Sequence, residues 1–93
     1  MIKSFADDEA ALPWKGKRSR RLPADVQKRA LAKLQLINAA VELDFLRFPP
    51  GNRLEALAGD RDGQHSIRIN DQWRICFAWT GADAENVTIV DYH

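Results

Sequence analysis

The spacing of apolar residues changes once along this chain, at the segment Pro-Pro-Gly of residues 49–51. After this segment, apolar and polar residues alternate, which is the two-residue repeat of strands with one buried face. Before it, apolar residues recur at intervals of three or four, the repeat of one helix face: Val26, Ala30, Leu34, Ile37 and Val41. Helices followed by strands predict an α+β fold, with the N-terminal helices packed on a small antiparallel sheet.

The main helix is predicted to begin within the segment Leu22-Pro23-Ala24-Asp25. Proline fits the first turn, where its missing N–H costs nothing, and the aspartate complements the helix dipole. Upstream, we expect a short strand from Ile2 to Phe5, a short helix from Asp7 to Trp14 and a loop from Lys15 to Arg21. Residues 42–48 can add one helical turn before the two prolines end the helical region.

Two alternating segments, Ser66–Ile69 and Trp73–Trp79, predict a β-hairpin. A three-residue loop between them places Ile67 and Ile69 on the same face as Trp73 and its alternate neighbours. We also expect a strand within Arg53–Leu57, turns over residues 59–63 and 81–85, and a last strand from Asn86 to Tyr92. The hairpin is the part of the sheet that the pattern defines best.

The same hairpin register places Arg68 opposite Arg74, on the other face of the sheet. Two like charges side by side are unfavourable unless an anion joins them. One interpretation is therefore an anion-binding pair. The alternative is that both guanidinium groups reach solvent or pair with acids such as Asp91.

The length and composition limit the other classes of protein. A chain of 93 residues buries only roughly 60 to 65% of its unfolded surface, so we expect one domain over residues 1–93. We expect no signal peptide, no membrane span and a cytoplasmic location, because charges interrupt every apolar stretch. The lone Cys76 excludes an internal disulfide and is interpreted as a packing residue, and no residue spacing predicts a metal site or cofactor.

Positive charge is concentrated between Trp14 and Leu34, although the net charge is only +1. Asp25 is the single acid in a stretch that holds eight basic residues: Lys15, Lys17, Arg18, Arg20, Arg21, Lys28, Arg29 and Lys33. Clustered cations favour a polyanionic partner, because together they neutralise phosphates and release counterions. A solvated helix face beside a flexible basic loop explains the charges equally well.

The C-terminal triplet Asp91-Tyr92-His93 is the densest group of residues that can transfer protons. Alternation along a strand places Asp91 and His93 on one face and Tyr92 on the other. The alternative is a frayed chain end without a chemical role. His65, at a strand start, is interpreted as a surface residue.

Several segments in order resemble the HigB toxins of the RelE/ParE superfamily. They are Met1-Ile-Lys-Ser-Phe5, Pro50-Gly-Asn-Arg-Leu54, Leu57-Ala-Gly-Asp-Arg61, Ser66-Ile-Arg-Ile-Asn-Asp-Gln-Trp-Arg-Ile-Cys-Phe77 and Val90-Asp-Tyr-His93. The resemblance covers nearly the whole chain. It implies the RelE-like fold, a helix-turn-helix antitoxin of the HigA type as partner, operator DNA bound only through that complex, and cleavage of messenger RNA on the translating ribosome.

The chemistry that the resemblance implies needs no metal. A base activates the ribose 2'-hydroxyl for attack on the adjacent phosphate, cations stabilise the added negative charge, and an acid protonates the leaving 5'-oxygen. By resemblance, Arg74 binds the phosphate, Tyr92 and His93 transfer protons or stack on a base, and Asp91 orients them. Cationic residues are then expected to contact RNA: Arg53, Arg61, Arg68, Lys17, Arg18, Arg20 and Arg21.

The chain departs from the family pattern at two positions. Some relatives carry a histidine and a lysine where this chain has Glu55 and Ala58. Arg53, Arg61 or Arg68 can replace the lost charge, and Glu55 is a candidate base. Two further functions stay open on the same fold: a non-enzymatic inhibitor of DNA gyrase, as in the ParE branch, and a module that mainly binds its antitoxin.

Overall fold

The computed structural model describes residues 1–92 and has the α+β architecture that the sequence predicts. Two α-helices precede four strands that form one sheet in the order β1-β2-β3-β4, with every neighbouring pair antiparallel. The elements are α1 (Asp8–Ala11), α2 (Ala24–Ala39), β1 (Glu55–Ala56), β2 (Gln64–Arg68), β3 (Trp73–Thr80) and β4 (Asp83–Asp91). Short 3-10 turns cover Leu43–Arg47, Pro50–Asn52 and Gly59–Arg61.

Helix α2 places its apolar stripe against the sheet. Its buried residues are Val26, Ala30, Leu34 and Ile37, all of which the helical spacing predicts. The prediction is wrong for Val41, which is 63% exposed. The backbone turns to an extended conformation at Ala40, so the buried Ala40 ends the stripe and Val41 points away from the core.

The β2–β3 hairpin has the predicted three-residue register. Ile67 pairs with Ile75, and Arg68 pairs with Arg74. The Asn70 side chain stabilises this loop, because its Oδ1 accepts hydrogen bonds from the backbone N–H groups of Gln72 (2.9 Å) and Trp73 (2.8 Å). The buried face of the sheet joins the stripe of α2 in one core: Ile67, Ile69, Ile75, Phe77, Ala84 and Val87.

Several predicted boundaries are wrong, including those of β2, which covers Gln64–Arg68 and not Ser66–Ile69. Helix α1 covers only Asp8–Ala11, with Asp7 as its N-cap accepting from the Ala10 N–H at 2.7 Å. Residues 2–5 make two isolated parallel bridges to β4 and form no continuous strand. Strand β4 begins at Asp83, three residues before the predicted start, because the left-handed Gly81 lets a tight turn form and Ala84 is then buried opposite Trp79.

Within residues 1–92, no helix combines the length and apolar character that crossing a membrane requires.

The packing of α2 predicts that alanine substitutions at two nearby leucines lower the free energy of unfolding by different amounts. Leu34 is fully buried, so Leu34→Ala should lower the free energy of unfolding by about 2 to 5 kcal/mol through lost contacts and a cavity. Leu36 is 39% exposed, and Leu36→Ala should cost about 1 kcal/mol or less. Urea denaturation of both variants measures the difference, and equal losses would contradict this packing.

Candidate functional site

The two faces of the sheet differ in chemistry because side chains alternate along each strand. Ile67, Ile75 and Phe77 belong to the core face, whereas Ser66 and Arg74 lie on the opposite face. An open pocket of about 290 Å³ lies on that second face. Its lining is mainly polar and charged: Arg53, Glu55, Arg68, Asn70, Asp71, Arg74 and Tyr92. We call it the Arg74 pocket.

Arg74 is fixed at the floor of this pocket and is only 7% exposed. Its Nε–H donates to the hydroxyl of the fully buried Ser66 at 2.8 Å, and its Nη2 donates to the Arg53 carbonyl at 2.7 Å. The Glu55 carboxylate lies 3.4 Å from the same Nη2. Within residues 1–92 these contacts use Nε and Nη2, so Nη1 remains available to a ligand.

The carbonyl that anchors Arg74 is itself held in place. Arg53 adopts a left-handed backbone (φ 46°) where the 3-10 turn Pro50–Asn52 ends. The buried Asn52 donates its side-chain amide to the carbonyls of Leu46 (3.2 Å) and Phe48 (3.1 Å). The double-proline segment thus ends the helical region and leads into Arg53, which lines the pocket.

The C-terminal segment brings Tyr92 over the pocket. The Arg74 guanidinium carbon lies 5.6 Å from the centre of the Tyr92 ring, within the range of a cation–π contact. The Tyr92 N–H donates to the Gln72 carbonyl, and the Gln72 amide donates to Asp91 at 3.2 Å. Asp91 pairs with Trp73, so it lies on the face opposite Arg74 and outside this pocket.

Each arginine of the cross-strand pair has an acidic partner, although neither partner is Asp91. Arg68 forms an ion pair with Asp71, and Arg74 forms one with Glu55. Among the described residues, the lining of the pocket therefore holds three arginines and two carboxylates, an excess of one positive charge. Both acids have exposed side chains, at 96% for Asp71 and 50% for Glu55, so an anionic ligand can displace them at small cost.

Two other predicted residues lie near the pocket without lining it. Arg61 donates to the Gln64 side chain at 3.2 Å. Cys76 is fully buried beside Arg74 and Arg61, and its burial raises the pKa of the thiol, whereas the two arginines act in the opposite direction. The thiol is therefore mainly protonated at neutral pH, which suits the interpretation of Cys76 as a packing residue.

The basic loop is separate from the Arg74 pocket, and its residues differ in their contacts. Arg18 donates to the carbonyls of Ser19 and Leu22 and to the Gln27 side chain, so its guanidinium closes the loop onto α2. Arg21 lies 3.4 Å from Asp7. Lys17 and Arg20 are exposed. Arg18 uses only its Nη1 in these contacts and its side chain is exposed, so it has a structural role in the loop and stays a predicted RNA contact.

His65 does not line the Arg74 pocket. His65 was expected at the surface, but it is half-buried and stacks on Phe77, with ring centres 6.4 Å apart. His93 lies outside the described residues. Among residues 1–92, no group of three or more His, Cys, Asp or Glu side chains is placed to hold a metal ion.

Residues 3–93 match a family described as the RelE-like toxin of the type II toxin-antitoxin system HigB. The chain belongs to this family of HigB-like toxins. It is 42% identical to Toxin HigB-1 of Vibrio cholerae over 77 residues, which cover 83% of this chain and 80% of the relative. It is also 34% identical to Endoribonuclease HigB of Proteus vulgaris over the full length of both proteins.

The fold of this HigB-like toxin is also found among solved structures. The YoeB-YefM complex from Staphylococcus aureus contains a chain that superimposes with a TM-score of 0.60, covering 100% of this chain and 98% of that one. The sequence identity is 19%, so this likeness concerns the fold alone. Family membership itself makes the protein the toxin of a type II pair, whose partner is an antitoxin.

Sequence reasoning missed Ser66 and Asn70 in the site of this toxin. Ser66 lies two residues before Arg68 on the same face of β2, so alternation alone could have identified a hydroxyl beside Arg74. Asn70 was assigned only to the loop, although asparagine at the start of a turn commonly binds backbone N–H groups.

The contacts of Arg18 predict a loss of stability that its neighbour does not share. Arg18→Ala removes the hydrogen bonds that Nη1 shares among three acceptors of the basic loop and should lower the free energy of unfolding by about 1 to 2 kcal/mol. Arg20→Ala, a matched change at an exposed arginine, should stay within about 0.5 kcal/mol of wild type. Thermal and urea unfolding test this, and equal stability of the two variants would refute the structural role.

Proposed function

We propose that this toxin cleaves messenger RNA on the translating ribosome and binds the scissile phosphate in the Arg74 pocket. The observation that carries the proposal is the fixed guanidinium of Arg74, whose Nη1 faces no protein partner within residues 1–92. Arginine suits a phosphate because its planar group donates parallel hydrogen bonds. A relative named Endoribonuclease HigB, similar over its whole length, supports the same reaction class.

The proposed reaction is an attack by the RNA on itself. Glu55 takes the proton of a ribose 2'-hydroxyl, whose oxygen then bonds to the adjacent phosphorus as the bond to the 5'-oxygen breaks. Arg74 and Arg68 stabilise the added negative charge. The leaving 5'-oxygen takes a proton from Tyr92 or His93. The products are a 2',3'-cyclic phosphate and a free 5'-hydroxyl.

Glu55 is a reasonable base because of its position in the pocket. It pairs with Ser66 across β1 and β2, on the same face as Arg74, and its side chain is half exposed. A bound phosphate competes with Glu55 for Arg74. Displacement of the carboxylate from Arg74 frees its oxygen for the neighbouring 2'-hydroxyl, so phosphate binding and activation of the base are coupled.

The remaining predicted residues receive supporting roles in this proposal. Asp91 acts through Gln72, whose carbonyl binds the Tyr92 N–H, and so positions the C-terminal segment. Arg53 and Arg61 contact the RNA near the pocket. Lys17, Arg18, Arg20 and Arg21 contact ribosomal RNA, which agrees with their separation from the Arg74 pocket. The antitoxin is of the helix-turn-helix HigA type, operator DNA is bound through the toxin-antitoxin complex, and the toxin acts in the cytoplasm.

Primer extension on a message in a translating extract tests the reaction and its site together. We expect discrete cuts by the wild type with ribosomes and none on ribosome-free RNA. Arg74→Ala should lower the single-turnover rate by about 100-fold or more, because one preorganised donor to a transition state is worth this much. Glu55→Gln and Tyr92→Phe should also slow cutting, whereas the distant exposed Lys3→Ala should leave it unchanged.

Other outcomes would contradict the proposal in distinct ways. If the wild type stopped growth without cutting any message, and DNA supercoiling changed instead, the toxin would be a gyrase inhibitor on the same fold. If free RNA were cut as fast as ribosome-bound RNA, the ribosome dependence would be wrong. Full activity of folded Arg74→Ala would remove the pocket from the reaction.

A further inference from the structure

A second pocket of about 350 Å³ adjoins the Arg74 pocket. The two share one wall, made by Arg68, Asn70 and Asp71 at the end of the β2–β3 hairpin. On its other side the second pocket is lined by Arg29 and Lys33 of α2 and by Gly51. We call it the α2 pocket. An RNA strand that crosses this shared wall from the Arg74 pocket therefore enters the α2 pocket next.

Lys33 is held in a defined position in the α2 pocket. Its ammonium group donates to Oδ1 of Asn52. Asn52 is fully buried, and its amide nitrogen donates to the carbonyls of Leu46 and Phe48, so the direction of Oδ1 is fixed. A lysine on a surface helix usually has several rotamers, but this one is oriented before any ligand arrives.

The charges of the α2 pocket are not balanced. Arg29 and Lys33 lie one helical turn apart, a spacing at which like charges repel each other. Burial, and secondly the charge of Arg29, lower the pKa of the Lys33 ammonium group. Within residues 1–92, the lining holds three cations, Arg29, Lys33 and Arg68, and one carboxylate, Asp71, which is almost fully exposed. A bound anion relieves the repulsion between these cations.

We propose that the α2 pocket binds a phosphodiester of the messenger RNA strand, next to the phosphate that is cleaved. This proposal rests on the function proposed for the Arg74 pocket and extends it to a second phosphate. Arg68 lies between the two pockets and contacts both, so one continuous strand can occupy them together. A strand of ribosomal RNA would have to enter a groove that the message already fills.

The test is a double-mutant cycle that combines a side-chain substitution in the toxin with removal of the charge of one phosphate in the message, and compares the dissociation constants. The message carries 2'-O-methyl nucleotides around the cleavage site, so it binds without being cut. Single methylphosphonates, which remove the charge of one phosphate, are placed in turn on either side of that site. The dissociation constant of the toxin is measured on ribosomes programmed with each message, for wild type, Lys33→Gln, Arg29→Gln and the control Lys28→Gln. Circular dichroism confirms that each variant is folded.

We expect Lys33→Gln and Arg29→Gln each to weaken binding about tenfold, as expected for one charged hydrogen bond. One methylphosphonate position should weaken wild type more than it weakens either variant, because each variant has already lost one of the two contacts with that phosphate. The slope of log affinity against log salt should fall by about 0.7 for each variant, the value for one phosphate contact on a single strand. Lys28, on the same helix but outside the pocket, should show no coupling to any phosphate.

Three results would overturn the proposal. The effects of a side-chain substitution and of a methylphosphonate could be additive at every phosphate, and the substitution could weaken binding equally on ribosomes without a message. That result would assign the α2 pocket to ribosomal RNA. Both variants could bind as tightly as wild type. The wild type could fail to bind programmed ribosomes at all.

Cleavage of an unmodified message is measured separately, so the two proposals can fail independently. Coupling to one phosphate without any cleavage would support the α2 pocket and refute the nuclease. Cleavage without coupling to any phosphate would support the nuclease and refute phosphate binding in the α2 pocket.

Discussion

The hydrogen bond from Arg74 Nε to the buried Ser66 hydroxyl is the contact on which the functional face of this toxin depends. A guanidinium group that is almost removed from water needs fixed acceptors, because an unpaired buried charge costs several kcal/mol. Ser66 of β2, together with the Arg53 carbonyl and Glu55 from the segment that enters β1, meets this need from two different segments. Each segment must therefore be in register before Arg74 can be buried.

That register originates in the short loop between β2 and β3. Asn70 binds two backbone N–H groups and so defines a three-residue connection, which places Arg68 opposite Arg74 and Ser66 on the same face. Isoleucines of both strands occupy the other face and pack on α2. A slip of one residue would move the arginines into the core and the isoleucines into solvent, so core and site select the same pairing.

The sequence predicted the parts of this arrangement that depend on local periodicity. Alternation gave the register of the hairpin, and helical spacing gave four of the five residues assigned to the buried stripe of α2. It could not predict that Val41 leaves the stripe or that Arg18 closes a loop, because both depend on the tertiary path of the backbone. The family resemblance indicated Arg74 as a phosphate ligand, but its buried anchors are visible only in three dimensions.

Hydrogen exchange at arginine side chains, measured by NMR, tests most directly whether Arg74 is fixed before RNA arrives. The Nε–H signal of Arg74 is identified by its loss in Arg74→Lys. If Arg74 is fixed by Ser66, this proton exchanges slowly with water in the free toxin and fast in a folded Ser66→Ala variant. Exchange as fast as that of the exposed Arg20, or no change in Ser66→Ala, would contradict a preorganised Arg74.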